Sequence, residues 1–201
     1  MAELLRGELV TEEDAATAAL IARVSGARRR GFISRGEFLA MALWKSPRAL
    51  HHYRRNGAAR IREVSRRALA ARSERRRMEH LLALDGVSVP VASATLTLLD
   101  PRRYGVLDIR AWQMLYAMQG VDANPAGRSF SVGQWIRYLA ALRRHASRLR
   151  VTVRAVEYTL FLCHRKRQRG RLYDRGQVLH YDISPPGRAP SPPANARLTV
   201  T

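Results

Sequence analysis

Two copies of one four-residue punctuation constrain this fold more than any other feature: Ser34-Arg35-Gly36-Glu37 and Ser131-Val132-Gly133-Gln134. A Ser followed three residues later by Glu or Gln lets the hydroxyl cap one backbone N–H while the longer side chain reaches back to another, so each signature predicts a helix start. Apolar residues follow at helical spacing: Phe38, Leu39, Met41, Ala42 and Leu43 after the first, and Trp135, Ile136, Leu139 and Leu142 after the second. Thr11-Glu12-Glu13-Asp14 opens a further run, Ser46-Pro47 supplies a cap and an N1 proline, and Asn56 is placed to cap a helix with Ile61, Val64, Ala68 and Ala71 inside. Further periodic runs cover about 74–84, 90–99, 109–119, 132–149 and 153–168. Strand pattern is confined to Gln177-Val178-Leu179-His180-Tyr181. The expectation is an all-α protein of two small lobes.

The lobes are expected at 1–79, carrying a basic face, and 80–183, with 184–201 as a proline-rich, flexible tail that buries too little to order itself. Two breaks interrupt the helices. Gly26 to Gly31 joins the first two, and Val121 to Gly127 precedes the last long pair.

Charge narrows the partner. The 201 residues hold 36 Lys plus Arg against 16 Asp plus Glu, a net of +20, and only Lys45 and Lys166 are lysines. A GC-rich genome explains arginine in place of lysine but not the excess of base over acid. Guanidinium forks hold phosphate oxygens in pairs, so the expected partner of this monomer is double-stranded DNA. Arg54 to Arg77 carries only Glu63 and Glu74 among its arginines and reads as a DNA-backbone track with Arg60, Arg66 and Arg67 on it. His164 to Arg171 is a second basic patch. Cys163, the lone cysteine, leaves no disulfide and no cysteine-built metal site. His51-His52 and Cys163-His164 are adjacent pairs that diverge on a helix, so no transition metal is expected. With no signal-like leader and no run near ~18 apolar residues, the location expected is the cytoplasm, beside the nucleoid.

Within this basic chain, Leu84-Asp85-Gly86-Val87-Ser88-Val89-Pro90-Val91-Ala92 is nearly uncharged. Gly86 permits a turn, Val87 can plug the core, and Pro90 opens the next helix. The stretch reads either as an ordinary helix–helix corner or as a phosphate clamp built from backbone N–H groups of Gly86, Val87 and Ser88. After the second helix, Gly105-Val106-Leu107 leads to Asp108 at the start of a helix bearing Ile109, Trp112 and Leu115.

Over about 80–119 the chain resembles the helix–hairpin–helix DNA glycosylases, which include endonuclease III and the adenine, 8-oxoguanine and alkylated-base glycosylases. Their pattern is Leu-x-Gly-Val-Gly-x-Lys-x-Ala, a second helix, then a short extended piece ending in Val-Asp. The resemblance implies that Asp108 is the catalytic carboxylate, steadying positive charge on the sugar of a flipped nucleotide and directing water to it. It also implies that carbonyls of Leu82, Leu84 and Val87 can hold a monovalent cation, Na⁺ or K⁺, against a DNA phosphate. The simpler role for Asp108 is an N-cap, and the two roles are compatible.

Two departures matter. Ser88 stands where the family has its second glycine, and Pro90 where bifunctional members have their Schiff-base lysine. The resulting expectation is a monofunctional glycosylase that releases a base without nicking the strand. The alternative is a non-catalytic accessory protein that binds DNA through the same hairpin. Arg110 joins the expected backbone contacts. Trp44, Lys45, Arg48, Tyr53 and Trp112 are the candidates for base pocket or duplex contact.

Overall fold

The computed structural model describes residues 1–168 and Leu172, and among them it is helical with no strand. Both four-residue signatures form complete capping boxes. Ser34 accepts from Glu37 N–H at 3.3 Å and returns its own N–H to Glu37 at 2.8 Å, starting helix α4 (Arg35–Lys45). Ser131 and Gln134 repeat the exchange at 3.2 and 2.8 Å and start α10 (Val132–Leu149). Of the acidic opening, Asp14 is the residue that caps: it accepts from Thr17 N–H at 3.0 Å and begins α2 (Ala15–Val24). A short α1 (Ala2–Gly7) precedes it.

Three local expectations are corrected. Gly26–Arg30 is itself a short helix, α3, ended by Gly31 at φ +77°, a left-handed stop that suits glycine. Ser46-Pro47 opens a three-residue 3-10 turn, Pro47–Ala49, followed by α5 (Leu50–Arg54). Asn56 does not cap α6 (Ala58–Ala70), because Gly57 holds the cap position. Asn56 is buried, and its amide bridges to the backbone of Asp85, donating to the carbonyl at 3.0 Å and accepting from the N–H at 2.9 Å. The Gln177–Tyr181 strand pattern and the 184–201 tail lie outside the described residues.

Helix α7 (Glu74–Leu82) packs on α6, and a turn at 83–88 leads to α8 (Val89–Leu99). Every residue of α8 except Pro90 is buried, and none is charged. That uniform apolarity identifies a helix surrounded by protein rather than one lying on a surface. Val91, Leu98 and Leu99 join one apolar cluster with Val24, Phe38, Met41, Tyr53 and Ile61; Val89, Ala92 and Leu96 join a second with Trp112, Trp135, Tyr138, Leu142, Val156 and Leu160. Helix α6 also feeds both, through Ile61 and Val64 in the first and Ala68 in the second, and Leu5 of α1 packs into the second. The hydroxyls buried in α8 return to its own carbonyls, Ser93 to Pro90 at 2.7 Å, Thr95 to Val91 at 3.1 Å and Thr97 to Ser93 at 2.8 Å. Helices α9 (Ile109–Ala117) and α11 (Val153–Arg167) pack on each other and complete the second half.

Candidate active site

Between α8 and α9 the chain runs extended and buried through Gly105, Val106 and Leu107. A buried extended segment without a sheet must find other partners for its backbone. Three helices supply them: Val106 N–H donates to Glu157 at 3.2 Å, Val106 carbonyl accepts from Tyr138 hydroxyl at 3.0 Å, and Leu107 N–H donates to Ser93 Oγ at 2.8 Å. Gly105 is required by close approach, since a Cβ there would sit 2.6 Å from Leu142 Cδ1 and 2.9 Å from Glu157 Cβ.

This pinned segment delivers Asp108 to the N-cap of α9. One carboxylate oxygen accepts Arg110 N–H at 2.9 Å, and the other meets Lys45 Nζ at 2.7 Å. The two side chains are 24% and 16% exposed, so the pair faces out of the core without lying free in water. Burial pushes the Asp108 carboxyl up, but the Lys45 charge and hydrogen bond, with the Arg110 N–H and guanidinium, outweigh it and hold the group below the usual carboxylate value. Asp108 is therefore ionised at neutral pH.

Asp108 and Lys45 line a cavity of about 280 Å³. Trp44, Tyr158 and Phe161 give it aromatic walls, and Asp14, Thr17, Val106, Arg154, Glu157 and Arg165 complete the lining. Trp44 is fixed by its indole N–H to Thr17 Oγ1 at 3.1 Å. Behind the wall, Arg154 holds Glu13 by two bonds at 2.6 and 3.0 Å and also grips Glu157. The Arg154 guanidinium lies 4.6 Å from the Tyr158 ring centroid. Burial raises the Glu157 carboxyl above its ordinary value despite the opposing Arg154 charge, so Glu157 and Asp108 sit in opposite electrostatic settings.

The other sequence candidates divide. Trp44 and Lys45 reach the cavity, and Arg48 is exposed on the 3-10 turn immediately after them. Tyr53 is fully buried against the edge of Phe38 and cannot touch a base or a duplex. Trp112 is 1% exposed, donates to Asn124 carbonyl at 2.7 Å and packs on Phe130 and Tyr138; it belongs to the core and not the pocket.

At the hairpin, Gly86 takes φ +79° and presses on His52 and Tyr53. Val87 is half-buried between the two apolar clusters, and its N–H is already given to Leu84 carbonyl at 3.1 Å. Of the expected clamp, Gly86 and Ser88 therefore keep N–H groups without an acceptor among the described residues, and Val87 does not. The turn bond leaves Leu84 carbonyl a second lone pair.

Arg60, Arg66 and Arg67 are exposed on α6, though Arg60 bonds Ala83 carbonyl at 3.2 Å and Arg67 pairs with Glu63. Arg77 leaves the track: it is 12% exposed and binds Glu74, Tyr104 and the Ala68 carbonyl. Arg110 faces Gln168 and the His164 ring rather than solvent alone. His164 is buried, so the second basic patch begins beyond it, and Lys166 and Arg167 are engaged by Glu8.

Sequence reading missed Glu157, Arg154, Glu13 and Tyr158. The signal available was an Arg and a Glu three residues apart inside the apolar run Val153 to Leu160, the mark of an internal ion pair. Among the described residues no group of three His, Cys, Asp or Glu could hold a metal ion, and no helix is long and apolar enough to cross a membrane. Comparison with family models, curated proteins and solved structures returns no match.

Proposed function

We propose that the chain is a DNA glycosylase that takes a damaged or modified nucleotide into the Asp108 cavity and hydrolyses its bond to the sugar. The observation that carries this reading is an ionised carboxylate on the wall of an aromatic-sided cavity of about 280 Å³, in a protein of net charge +20. A flipped base stacks on aromatic faces, which Trp44, Tyr158 and Phe161 offer. As the base departs, positive charge grows on the deoxyribose, and a fixed carboxylate stabilises it more in the transition state than in the ground state. Asp108 also has the chemistry to orient and deprotonate the attacking water. Exposed arginines and the free hairpin N–H groups of Gly86 and Ser88 would hold the duplex by its phosphates.

One observation favours the second reading, a DNA-binding accessory without chemistry: both Asp108 oxygens already have partners. A panel of duplexes, each carrying one lesion or modified base, separates the two. Abasic-site formation with at least one member supports the enzyme, and binding of all members with no base release supports the accessory.

A further inference from the structure

We propose that the outer face of α10 is a second DNA-backbone site, which holds a further duplex segment and lets one chain join two duplexes. The proposal goes beyond the reading above. It takes DNA as the partner but requires neither base release nor the Asp108 cavity.

The argument starts from charge left uncancelled. Helix α10 carries four arginines and no Asp or Glu. Arg143 is engaged, donating to Glu74 at 2.8 Å and to Arg103 carbonyl at 3.0 Å. Arg137, Arg144 and Arg148 are exposed and have no acid partner among the described residues. Other basic helices mix signs: Glu63 answers Arg67 on α6, and Glu79 lies 3.8 Å from Arg75 on α7. Steps of seven and four residues bring the three arginines onto one line along α10, about 16 Å long. One strand of a duplex places a phosphate every ~3.4 Å of axis, so the line matches a run of about five phosphates. Ala140 and Ser147, exposed beside that line, are too small to keep a rod off the guanidinium groups. The face offers no aromatic or large aliphatic side chain, so a protein partner finds no anchor there and a bilayer finds no apolar wedge. A row of phosphates needs only the charge.

The fold sets this line apart from the hairpin and the cavity. The reverse side of α10 belongs to the core, where Trp135, Leu139 and Leu142 share a cluster with Val156 and Leu160 of α11. From that inner side Tyr138 reaches Val106 carbonyl at 3.0 Å, and Val106 lines the cavity. The cavity takes a different face of α11, through Arg154, Glu157, Tyr158, Phe161 and Arg165. Helix α7 packs against both α6 and α10. Arg60 bonds the Ala83 carbonyl at the C-terminal end of α7, and Arg143 bonds Glu74 at its N-terminal end. A duplex at the hairpin and α6 therefore leaves the α10 line open to another segment.

The test weighs complexes by sedimentation equilibrium at about 50 mM salt, with the full chain and an excess of an undamaged duplex about one helical turn long. One chain carrying two duplexes is expected. The triple variant Arg137→Gln, Arg144→Gln, Arg148→Gln is expected to carry one, with an unchanged urea midpoint because all three side chains are exposed. Binding of the second duplex is expected to fall with salt at a log–log slope of about −2.7 or steeper, as three phosphate contacts require. A wild type that carries one duplex, two chains that share two duplexes, or a triple variant that still carries two overturns the proposal. So does a triple variant that folds normally and loses both duplexes. A wild type that carries one duplex and sediments with phosphatidylserine vesicles through the same three arginines assigns the face to a membrane instead. One duplex with base release rejects the second site and leaves the glycosylase standing; two duplexes without base release from any lesion do the reverse.

Discussion

Asp108 is both an N-cap and a wall of the cavity, and the two roles respond differently to one substitution. Asparagine still caps a helix, so Asp108→Asn is expected to leave the fold and DNA binding intact. It removes the negative charge, and base release is expected to fall by ~10²–10⁴, measured in single turnover on whichever lesion the wild type cleaves. His164 makes a separate prediction. Burial first, and the Arg110 charge second, lower its pKa to about 4, below the ordinary 6.5. Its neutral ring sits between Arg110, 3.4 Å from Nδ1, and Gln113, 2.8 Å from Nε2. The unfolded chain therefore takes up a proton that the folded chain refuses. Stability is present above about pH 6.5 and is lost, by roughly 1–3 kcal/mol, as pH falls towards 4. His164→Gln is expected to flatten urea midpoints across that window; an unchanged slope rejects the assignment. At this scale the sequence was least legible. Tyr53 and Trp112 are amphipathic aromatics whose pattern fits core and pocket equally, and only packing assigns them to the core.

At the scale of elements, the helix starts were legible because a cap is a local event: Ser34, Ser131 and Asp14 act within three residues of themselves. Asn56 was misread because its partner, Asp85, is distant in sequence, and a bridge between a loop and a hairpin leaves no periodic trace. That bridge makes the hairpin testable apart from the carboxylate. Asn56→Ala strands the Asp85 N–H and carbonyl beside a buried site, and is expected to cost about 1–3 kcal/mol in denaturant midpoint. Gly86→Ala places a Cβ 2.6 Å from His52 Cβ at φ +79°, where neither backbone nor neighbour yields cheaply. It is expected to cost at least about 1 kcal/mol and to weaken duplex binding, while Asp108 keeps its place at the start of α9. Loss of stability with unchanged DNA affinity would show that the hairpin is a corner and not a clamp.

For the whole molecule, a helix with no charge on any face lies buried inside a chain of net charge +20. The contrast has a physical logic. Helix α8 serves both apolar clusters, so it has no solvent face on which to carry charge, and exposed arginines stand on the outer faces of α3, α5, α6, α7 and α10. The all-α class was legible from those periodic runs. The cavity was not, because its wall is assembled from α2, α4, the 106–108 segment and α11, which share no sequence neighbourhood. The surface makes its own prediction. If the exposed arginines track a DNA backbone through roughly 6–10 phosphates, affinity is expected to drop by ~10³–10⁵ between about 50 and 200 mM salt. Single substitutions then sort the track. Arg66→Ala is expected to lower the slope of log affinity against log salt by about 1, since Arg66 has no acid partner among the described residues. Arg67→Ala is expected to lower it less, because Glu63 already offsets that charge. Arg77→Ala is expected to spare the slope and lower stability, since Arg77 joins α7 to Tyr104 and the end of α6. Titrations at several salt concentrations check all three, and a flat response in the wild type removes the DNA track from this face.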